Sequence, residues 1–457
     1  MVKQVYHTYY NKIYLIFNIY IYIMSSGSVL QLQSNENVVF VRNPQITYFK
    51  SVYRRHTKFA IVDHLQTSAT PKNHFDGTEG EIRFSFPSQG DLLSQISLQI
   101  NKRDELSNFP GTPDHIPSDI TTKLFKEIKL FHDDIPDPID SLRSEYINFY
   151  SSLNNKKSIN ATYDIIDDEL VCVNGNNHQQ MSLCGGVINS KYDSTTLVKT
   201  PVFKKLNIIL PIPFSFTKNT GTALPLFMLT DRQKFNIEIT NMASAGVEAA
   251  NLFNNGVTTP PSEQISAFKY SLIYKFIYLS EEEKRRFKSS NQDYLLEKVK
   301  YKSSNQIGIN TSTNINIKAF APNLPIKSIF IVNNSTSGYK DFLYNFSIRG
   351  VNFQQEHLPH EFYSKVNVSE YFKGCVYKQL DNNEKDDNTI IDNRIAYVQF
   401  SLKNSEGPSG CINTGTNELS LSINTSINQK SIDMYIVYYS ILRFTDTNNL
   451  SFPYHNY

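Results

Sequence analysis

FKYSLIYKFIY, residues 268–278, places a large apolar side chain at every second position. The residues of this face are Phe268, Tyr270, Leu272, Tyr274, Phe276 and Tyr278. A period of two is typical of a β-strand with one buried face, because successive side chains of a strand point to opposite sides. This stretch therefore predicts a strand and favours a β-rich fold.

The same period recurs on both sides of this strand. Before it come Ile82, Phe84 and Phe86, then Ile96, Leu98 and Ile100, then Phe235, Ile237 and Ile239; after it come Ile315 and Ile317, then Ala396, Val398, Phe400 and Leu402, then Leu419, Leu421 and Ile423, and a last strand from 432 to 444. Short helices are expected near 141–153, 280–288 and 361–372. Many strands with long polar loops are typical of jelly rolls. We predict an all-β protein of two tandem jelly rolls, each an eight-stranded sandwich, with short helices in the loops.

The stretch between the two β-rich blocks, residues 241–264, is small and polar and contains Pro260-Pro261. Such a composition suits a linker or an exposed loop. The expected organisation is an N-terminal extension at 1–23, a first jelly roll at 24–240, the linker at 241–264 and a second jelly roll at 265–457.

Residues 13–24 read IYLIFNIYIYIM, with Lys3 and Lys12 before them and SSGS after them. The run is shorter than the roughly 18 to 20 apolar residues that span a bilayer as a helix. Two interpretations stay open for residues 1–23: a secretory signal, or upstream codons read in frame before a true start at Met24.

Charge and motifs argue against several function classes. The chain carries 45 Lys and Arg against 43 Asp and Glu, which gives no electrostatic reason for a broad nucleic-acid-binding surface, and no specific nucleic-acid partner is expected. The four cysteines show no CxxC pair, and the sequence has no GxSxG, HExxH, P-loop or GxGxxG motif. We therefore expect neither a cofactor nor an enzymatic activity.

Two clusters contain residue types found in metal sites, but a solvated loop or helix start is the favoured interpretation of the first and a solvated turn that of the second. His357 and His360 are separated by Pro359, which disfavours a single helical turn that presents both rings. The acidic run with Asp133, Asp134, Asp137 and Asp140 lacks the glycine and glutamate of an EF-hand. No metal site is predicted. The N-x-S/T sequences at Asn310, Asn345 and Asn367 are candidate glycosylation positions, although most such sequences in an Asn-rich chain arise by chance.

One long segment carries a family resemblance: NPQITYFKSVYRRHTKFAI, residues 43–61. It resembles the N-terminal signature of the major capsid proteins of nucleocytoplasmic large DNA viruses. Residues 224–239 resemble the end of the family's first jelly roll, and residues 274–287 the opening strand and helix of its second. The signature and assembly positions that the resemblance assigns are Asn43, Pro44, Gln45, Tyr53, Arg54, Arg55 and His56, together with the turn Pro408, Ser409 and Gly410.

The resemblance implies a structural major capsid protein that forms homotrimers of pseudo-hexagonal outline, which then tile an icosahedral virus shell. It implies a place in the virion after assembly in the host cytoplasm, minor capsid proteins as partners, and an N-terminal segment near the inner face and an internal membrane. Residues 414–423 depart from the family's usual continuation after Asn413, which keeps a minor or vertex paralogue of the same fold open. A carbohydrate-binding jelly roll is the further alternative.

Overall fold

The computed structural model describes residues 56–67, 81–102 (without 88), 125–154, 163–166, 169–172, 206–229, 235–241, 269–307, 313–333, 342–352, 357–372, 395–404, 407–415, 417–425, 429–445 and 450–452. Both sandwiches lie in one unit, Lys58–Tyr457. None of the helices in the described residues has the length and apolar character of a membrane-spanning segment.

Up to residue 279, the described residues form eleven strands and one α-helix. They are β1 (Phe59–Thr67), β2 (Glu81–Ser85), β3 (Leu92–Lys102), β4 (Phe125–His132), β5 (Ile135–Arg143), α1 (Ser144–Asn154), β6 (Tyr163–Ile166), β7 (Glu169–Cys172), β8 (Leu206–Pro211), β9 (Leu224–Pro225), β10 (Phe235–Asn241) and β11 (Lys269–Leu279). Short 3-10 turns lie at Ser215–Thr217, Thr220–Thr222 and Leu226–Met228.

The second half begins with α2 and repeats the pattern. Its elements are α2 (Glu281–Lys288), β12 (Gln292–Ile307), β13 (Thr313–Asn316), α3 (Ile317–Phe320), β14 (Pro325–Asn333), β15 (Phe342–Ile348), β16 (Val351–Asn352), β17 (Leu358–Pro359), a π-helical turn (Phe362–Asn367), α4 (Val368–Tyr371), β18 (Ile395–Gln399), β19 (Ile412–Asn413), β20 (Leu419–Thr425), β21 (Gln429–Phe444) and β22 (Leu450–Ser451).

The two halves form two sandwiches with the same strand order. In the first sandwich, one sheet runs β1-β11-β3-β8 and the other β2-β10-β4-β5; in the second, the corresponding orders are β12-β21-β14-β18 and β13-β20-β15-β16. The strands β9, β17, β19 and β22 add short pairings, and β6 pairs with β7. This repeated order confirms the predicted tandem jelly rolls.

Aromatic side chains join the two sheets of the first sandwich. Phe86 stacks on Phe235 with ring centroids 5.4 Å apart and meets Tyr274 edge to face at 5.3 Å. All three are buried. Truncating such a core ring to alanine costs about 3–5 kcal/mol, so this contact between facing strands contributes strongly to the sandwich.

The strand β11 lies in the first sandwich, which corrects the domain organisation expected from sequence. We expected residues from 265 onward, and 274–287 in particular, to open the second jelly roll. Instead β11 pairs with β1 from Phe59↔Leu279 to Thr67↔Ser271, and with β3 on its other side. Because hydrogen bonds on both edges hold β11 in this sheet, the first sandwich ends at Leu279 and the second begins after it.

The helix α2 marks the change from one sandwich to the other. The Ser280 hydroxyl accepts a hydrogen bond from the backbone N–H of Glu283 at 3.4 Å and caps the N-terminus of the helix. Acidic residues fill the first turn and basic residues the last, which complements the helix dipole. Lys284 reaches back to Asp91 of the first sandwich at 3.3 Å, so the connection between the sandwiches is anchored.

Candidate assembly surfaces and the junction between the sandwiches

Most of the predicted N-terminal signature falls outside the described residues. This applies to Asn43, Pro44, Gln45, Tyr53, Arg54 and Arg55, and also to the candidate glycosylation position Asn310. His56 is exposed, and its Nδ1 lies 2.8 Å from the carbonyl oxygen of Thr57. The assembly role of the segment thus stays a prediction.

The turn Pro408-Ser409-Gly410 closes the loop after β18. The Ser409 hydroxyl accepts from the backbone N–H of Lys403 at 2.8 Å and donates to the Lys403 carbonyl at 3.0 Å. Gly410 has φ +136°, and a Cβ there would lie 3.2 Å from the Phe400 carbonyl oxygen. Glycine is therefore required for backbone geometry, and the motif holds a loop in place.

The other two candidate glycosylation positions differ in their surroundings. Asn345 lies in β15 and is only 4% exposed, which is unfavourable for a glycan because the acceptor has to be accessible. Asn367 is partly exposed, and its amide donates to the carbonyl of Tyr397 at 3.0 Å.

His357 and His360, the candidate metal ligands, have separate hydrogen-bond partners. Nδ1 of the buried His360 lies 3.0 Å from the Tyr344 hydroxyl, and Nε2 of His357 lies 3.4 Å from the Ser422 hydroxyl. Within the described part of the chain, no three His, Cys, Asp or Glu side chains converge in a way that could hold a metal ion.

The helix α1 of the first sandwich covers the outer face of the sheet β12-β21-β14-β18. The ring of Phe149 lies 5.1 Å from that of Phe330 and 5.2 Å from that of Tyr435, and Tyr146 lies 6.0 Å from Phe330. At the start of the helix, the Arg143 guanidinium lies 3.9 Å from the ring centre of Tyr301. Aromatic and cation–π contacts of this kind contribute about 0.5–2 kcal/mol each beyond burial, so the two sandwiches are firmly joined.

A charged cluster lies beside these rings. Glu297 in β12 accepts hydrogen bonds from Lys218 of the first sandwich, at 2.9 Å, and from the buried Lys327 in β14. Burial alone would raise the pKa of Glu297, but the two ammonium groups outweigh it and lower that pKa to about 2. Burial lowers the pKa of Lys327. The carboxylate is thus held ionised between two cations.

Asp140, the last of the acidic run, is a buried part of the same junction. Its carboxylate accepts from the backbone N–H groups of Ser215 at 2.9 Å and Ser141 at 3.0 Å. Burial raises the pKa of Asp140 to about 6, and these hydrogen bonds limit the rise. The Ser215 hydroxyl also accepts from the backbone N–H of Glu297 at 2.6 Å. Asp140 thus orders the loop around Ser215, which contacts the second sandwich. This buried role differs from the solvated turn expected from sequence.

The outer face of the sheet β1-β11-β3-β8 carries exposed apolar residues. Phe59, Ile61 and Leu65 project from β1, and each is 54% exposed. They pair with Leu279, Ile277 and Ile273 of β11, of which Leu279 and Ile273 are partly exposed and Ile277 is largely buried; directly opposed residues share a face of the sheet. We call these six residues the first-sandwich face. Contiguous apolar patches of this kind are typical of interaction surfaces.

The chain is similar in sequence to viral capsid proteins. The family model described as the N-terminal part of the major capsid protein matches residues 47–279, a range that ends with β11. The chain is 24% identical over 446 residues to the major capsid protein of Pyramimonas orientalis virus, covering 91% of this chain and 96% of that protein. It is 24% identical over 314 residues to capsid protein 1 of Acanthamoeba polyphaga mimivirus, covering 67% of this chain and 48% of that protein.

Solved structures show the same fold. A quasi-atomic model of the PBCV-1 virus capsid matches 90% of this chain and 100% of its own with a TM-score of 0.64 and 17% identity. The Faustovirus major capsid protein matches 90% of this chain and 94% of its own with a TM-score of 0.53 and 10% identity.

Proposed function

Because the chain belongs to the major capsid protein family of large DNA viruses and is a structural protein of the virion shell, we propose that it forms homotrimeric capsomers. Three chains bring six sandwiches, which give each capsomer a pseudo-hexagonal outline, and hexagons tile the facets of an icosahedral capsid. The protein acts through its surfaces and catalyses no reaction.

The observation that carries this proposal is the repeated architecture. Two sandwiches of identical strand order within one chain make each chain an equivalent of two neighbouring positions in a six-membered ring. The junction through α1 and Glu297 holds these two positions together. Closed cyclic symmetry is the usual arrangement of soluble homo-oligomers, and three such chains would complete the ring.

Weak contacts between capsomers are sufficient for the shell. Each capsomer touches several neighbours at once, so small free energies of contact add up through avidity. The near balance of 45 basic and 43 acidic residues limits repulsion between copies at physiological ionic strength. The segment with Arg54 and Arg55 is proposed to lie toward the inner face, near minor capsid proteins and an internal membrane.

Light scattering coupled to size-exclusion chromatography tests the trimer. The full chain has a mass of 52.5 kDa, and we expect a species of three chains at micromolar concentration. A monomer under these conditions would contradict the proposal. Quantitative mass spectrometry of purified virions distinguishes the two roles. A main shell protein is the most abundant virion protein, whereas a minor or vertex paralogue is present in few copies.

A further inference from the structure

The contact of α1 with the second sandwich of the same chain indicates how two neighbouring chains could meet. In the second sandwich, the outer face of β12-β21-β14-β18 is covered by α1, which follows the last strand of the first sandwich's other sheet, β2-β10-β4-β5. The first sandwich has the corresponding outer face, on β1-β11-β3-β8, and there Phe59, Ile61 and Leu65 are more than half exposed.

The second sandwich has a helical segment in the position that corresponds to α1. This segment, residues 361–371, follows β16 and β17 at the end of the sheet β13-β20-β15-β16. Phe362 is 37% exposed and Val366 51% exposed, four residues apart. Residues at this spacing lie on one side of a helix, so the segment presents an apolar side outward while Tyr363 and Val368 are buried beneath it.

The charges around the two surfaces are complementary. Lys58, Lys275 and Asp63 lie on or beside the first-sandwich face, two positive charges and one negative. The helical segment carries Glu361, Glu370 and Lys365, two negative charges and one positive. The net charges of +1 and −1 favour contact between these two surfaces over contact of either with itself.

We propose that the first-sandwich face of one copy binds the helical segment 361–371 of a neighbouring copy, repeating between chains the contact that α1 makes within a chain. The contact is head to tail, because two different surfaces meet, and such contacts close into a ring when the rotation between copies divides a full turn. This inference rests on the proposed trimer and names the surfaces that form it.

The test uses one variant on each surface and a matched control. Ile61→Asp places a charge on the first-sandwich face, and Val366→Asp places one on the helical segment. Val351→Asp is the control, since Val351 is 70% exposed on β16 outside both surfaces. Circular dichroism confirms folding, and Leu65→Asp replaces Ile61→Asp if that variant does not fold.

Light scattering on the full-length chain measures the oligomeric state of each variant. We expect wild type and Val351→Asp to be trimers, and each of the other two variants alone to be monomeric, with the dissociation constant raised at least about 30-fold, as for an interface hot spot. An equal mixture of Ile61→Asp and Val366→Asp should give a species of two chains, because each chain keeps one intact surface and the ring cannot close.

The outcomes separate this inference from the proposed function. A trimeric wild type with either variant still trimeric overturns the contact and leaves the trimer in place. A mixture that stays monomeric also overturns it, because head-to-tail surfaces have to complement each other. A monomeric wild type overturns both the contact and the trimer.

Discussion

The ammonium group of Lys218 donates a hydrogen bond to the carboxylate of Glu297 at 2.9 Å, and this pair links the first sandwich to the second. Lys327 contacts the other oxygen of the same carboxylate. Desolvation makes such clusters weak sources of net stability, yet removing one partner leaves a buried charge uncompensated. The cluster therefore favours one relative placement of the two sandwiches over others.

Glu297→Gln should destabilise the protein by about 3–5 kcal/mol, because two neighbouring ammonium groups lose their counter-charge in a poorly hydrated site. Chemical denaturation at pH 7 measures the change. The control is Glu282→Gln, which removes an exposed ion pair on α2 and should change stability by no more than about 0.5 kcal/mol. Equal effects of the two substitutions would contradict the role assigned to Glu297.

Asp140 should make stability rise as the pH falls from about 7 to 4. Its pKa is raised from 3.8 to about 6 in the folded protein, so the folded state takes up a proton at a higher pH than the unfolded state. Above pH 6 the buried carboxylate is ionised at a cost in free energy, and its protonation at lower pH relieves a penalty on the order of 2 kcal/mol.

Denaturation of wild type and Asp140→Asn across this pH range isolates the contribution. As the pH falls from about 7 to 4, the free energy of unfolding of wild type should rise relative to that of Asp140→Asn by on the order of 2 kcal/mol. Asp133→Asn, at an exposed position of the same acidic run, is the matched control for the replacement of an Asp by Asn. A constant difference for Asp140→Asn would refute the prediction.

Lowering the pH should reduce the contribution of Glu297 to stability, the opposite of the effect expected for Asp140. Its pKa is lowered from 4.5 to about 2, so its stabilising contribution is present above pH 4.5 and is lost as the pH falls toward 2. Glu297→Gln should therefore lose less stability than wild type between pH 4.5 and 2.5, as measured by thermal unfolding. A parallel loss in both proteins would be the contrary result.

Gly90→Ala and Gly350→Ala should differ strongly although their backbones are alike. The φ angles are +73° and +75°, so both substitutions carry the left-handed penalty of about 1 kcal/mol. A Cβ at Gly90 would lie 2.5 Å from a ring carbon of the buried Phe276, whereas a Cβ at Gly350 meets nothing within 4 Å. We expect Gly90→Ala to cost an additional 1–3 kcal/mol or so, as in overpacked cores, measured by denaturant midpoint.

The sequence predicted strands well because alternation is a local property. Residues 268–278 showed one apolar face, and Tyr270, Leu272, Tyr274 and Phe276 are indeed buried. It could not predict the sandwich to which this strand belongs, because the partner strand β1 lies about 200 residues away. Pairing over such a separation depends on tertiary packing and leaves no signal in the spacing of apolar residues.

The sequence did not predict the junction between the two sandwiches, for a related reason. Glu297 and Lys298 occur in an alternating strand, where charged residues normally face water. Their partners are distant in sequence: Lys218 lies 79 residues from Glu297, and Pro138 lies 160 residues from Lys298. The helix before residue 154 was expected, but its amphipathic pattern does not reveal that its partner is the other sandwich.

The pairing of β1 with β11 also has a consequence during synthesis. The first sandwich cannot close before residue 279 has left the ribosome, since β11 occupies the position between β1 and β3. Until then the nascent chain exposes two unpaired strand edges and the apolar side of a half-built sheet, the features that make folding intermediates prone to aggregate. Folding of the first sandwich is therefore completed only after more than half of the chain has been synthesised.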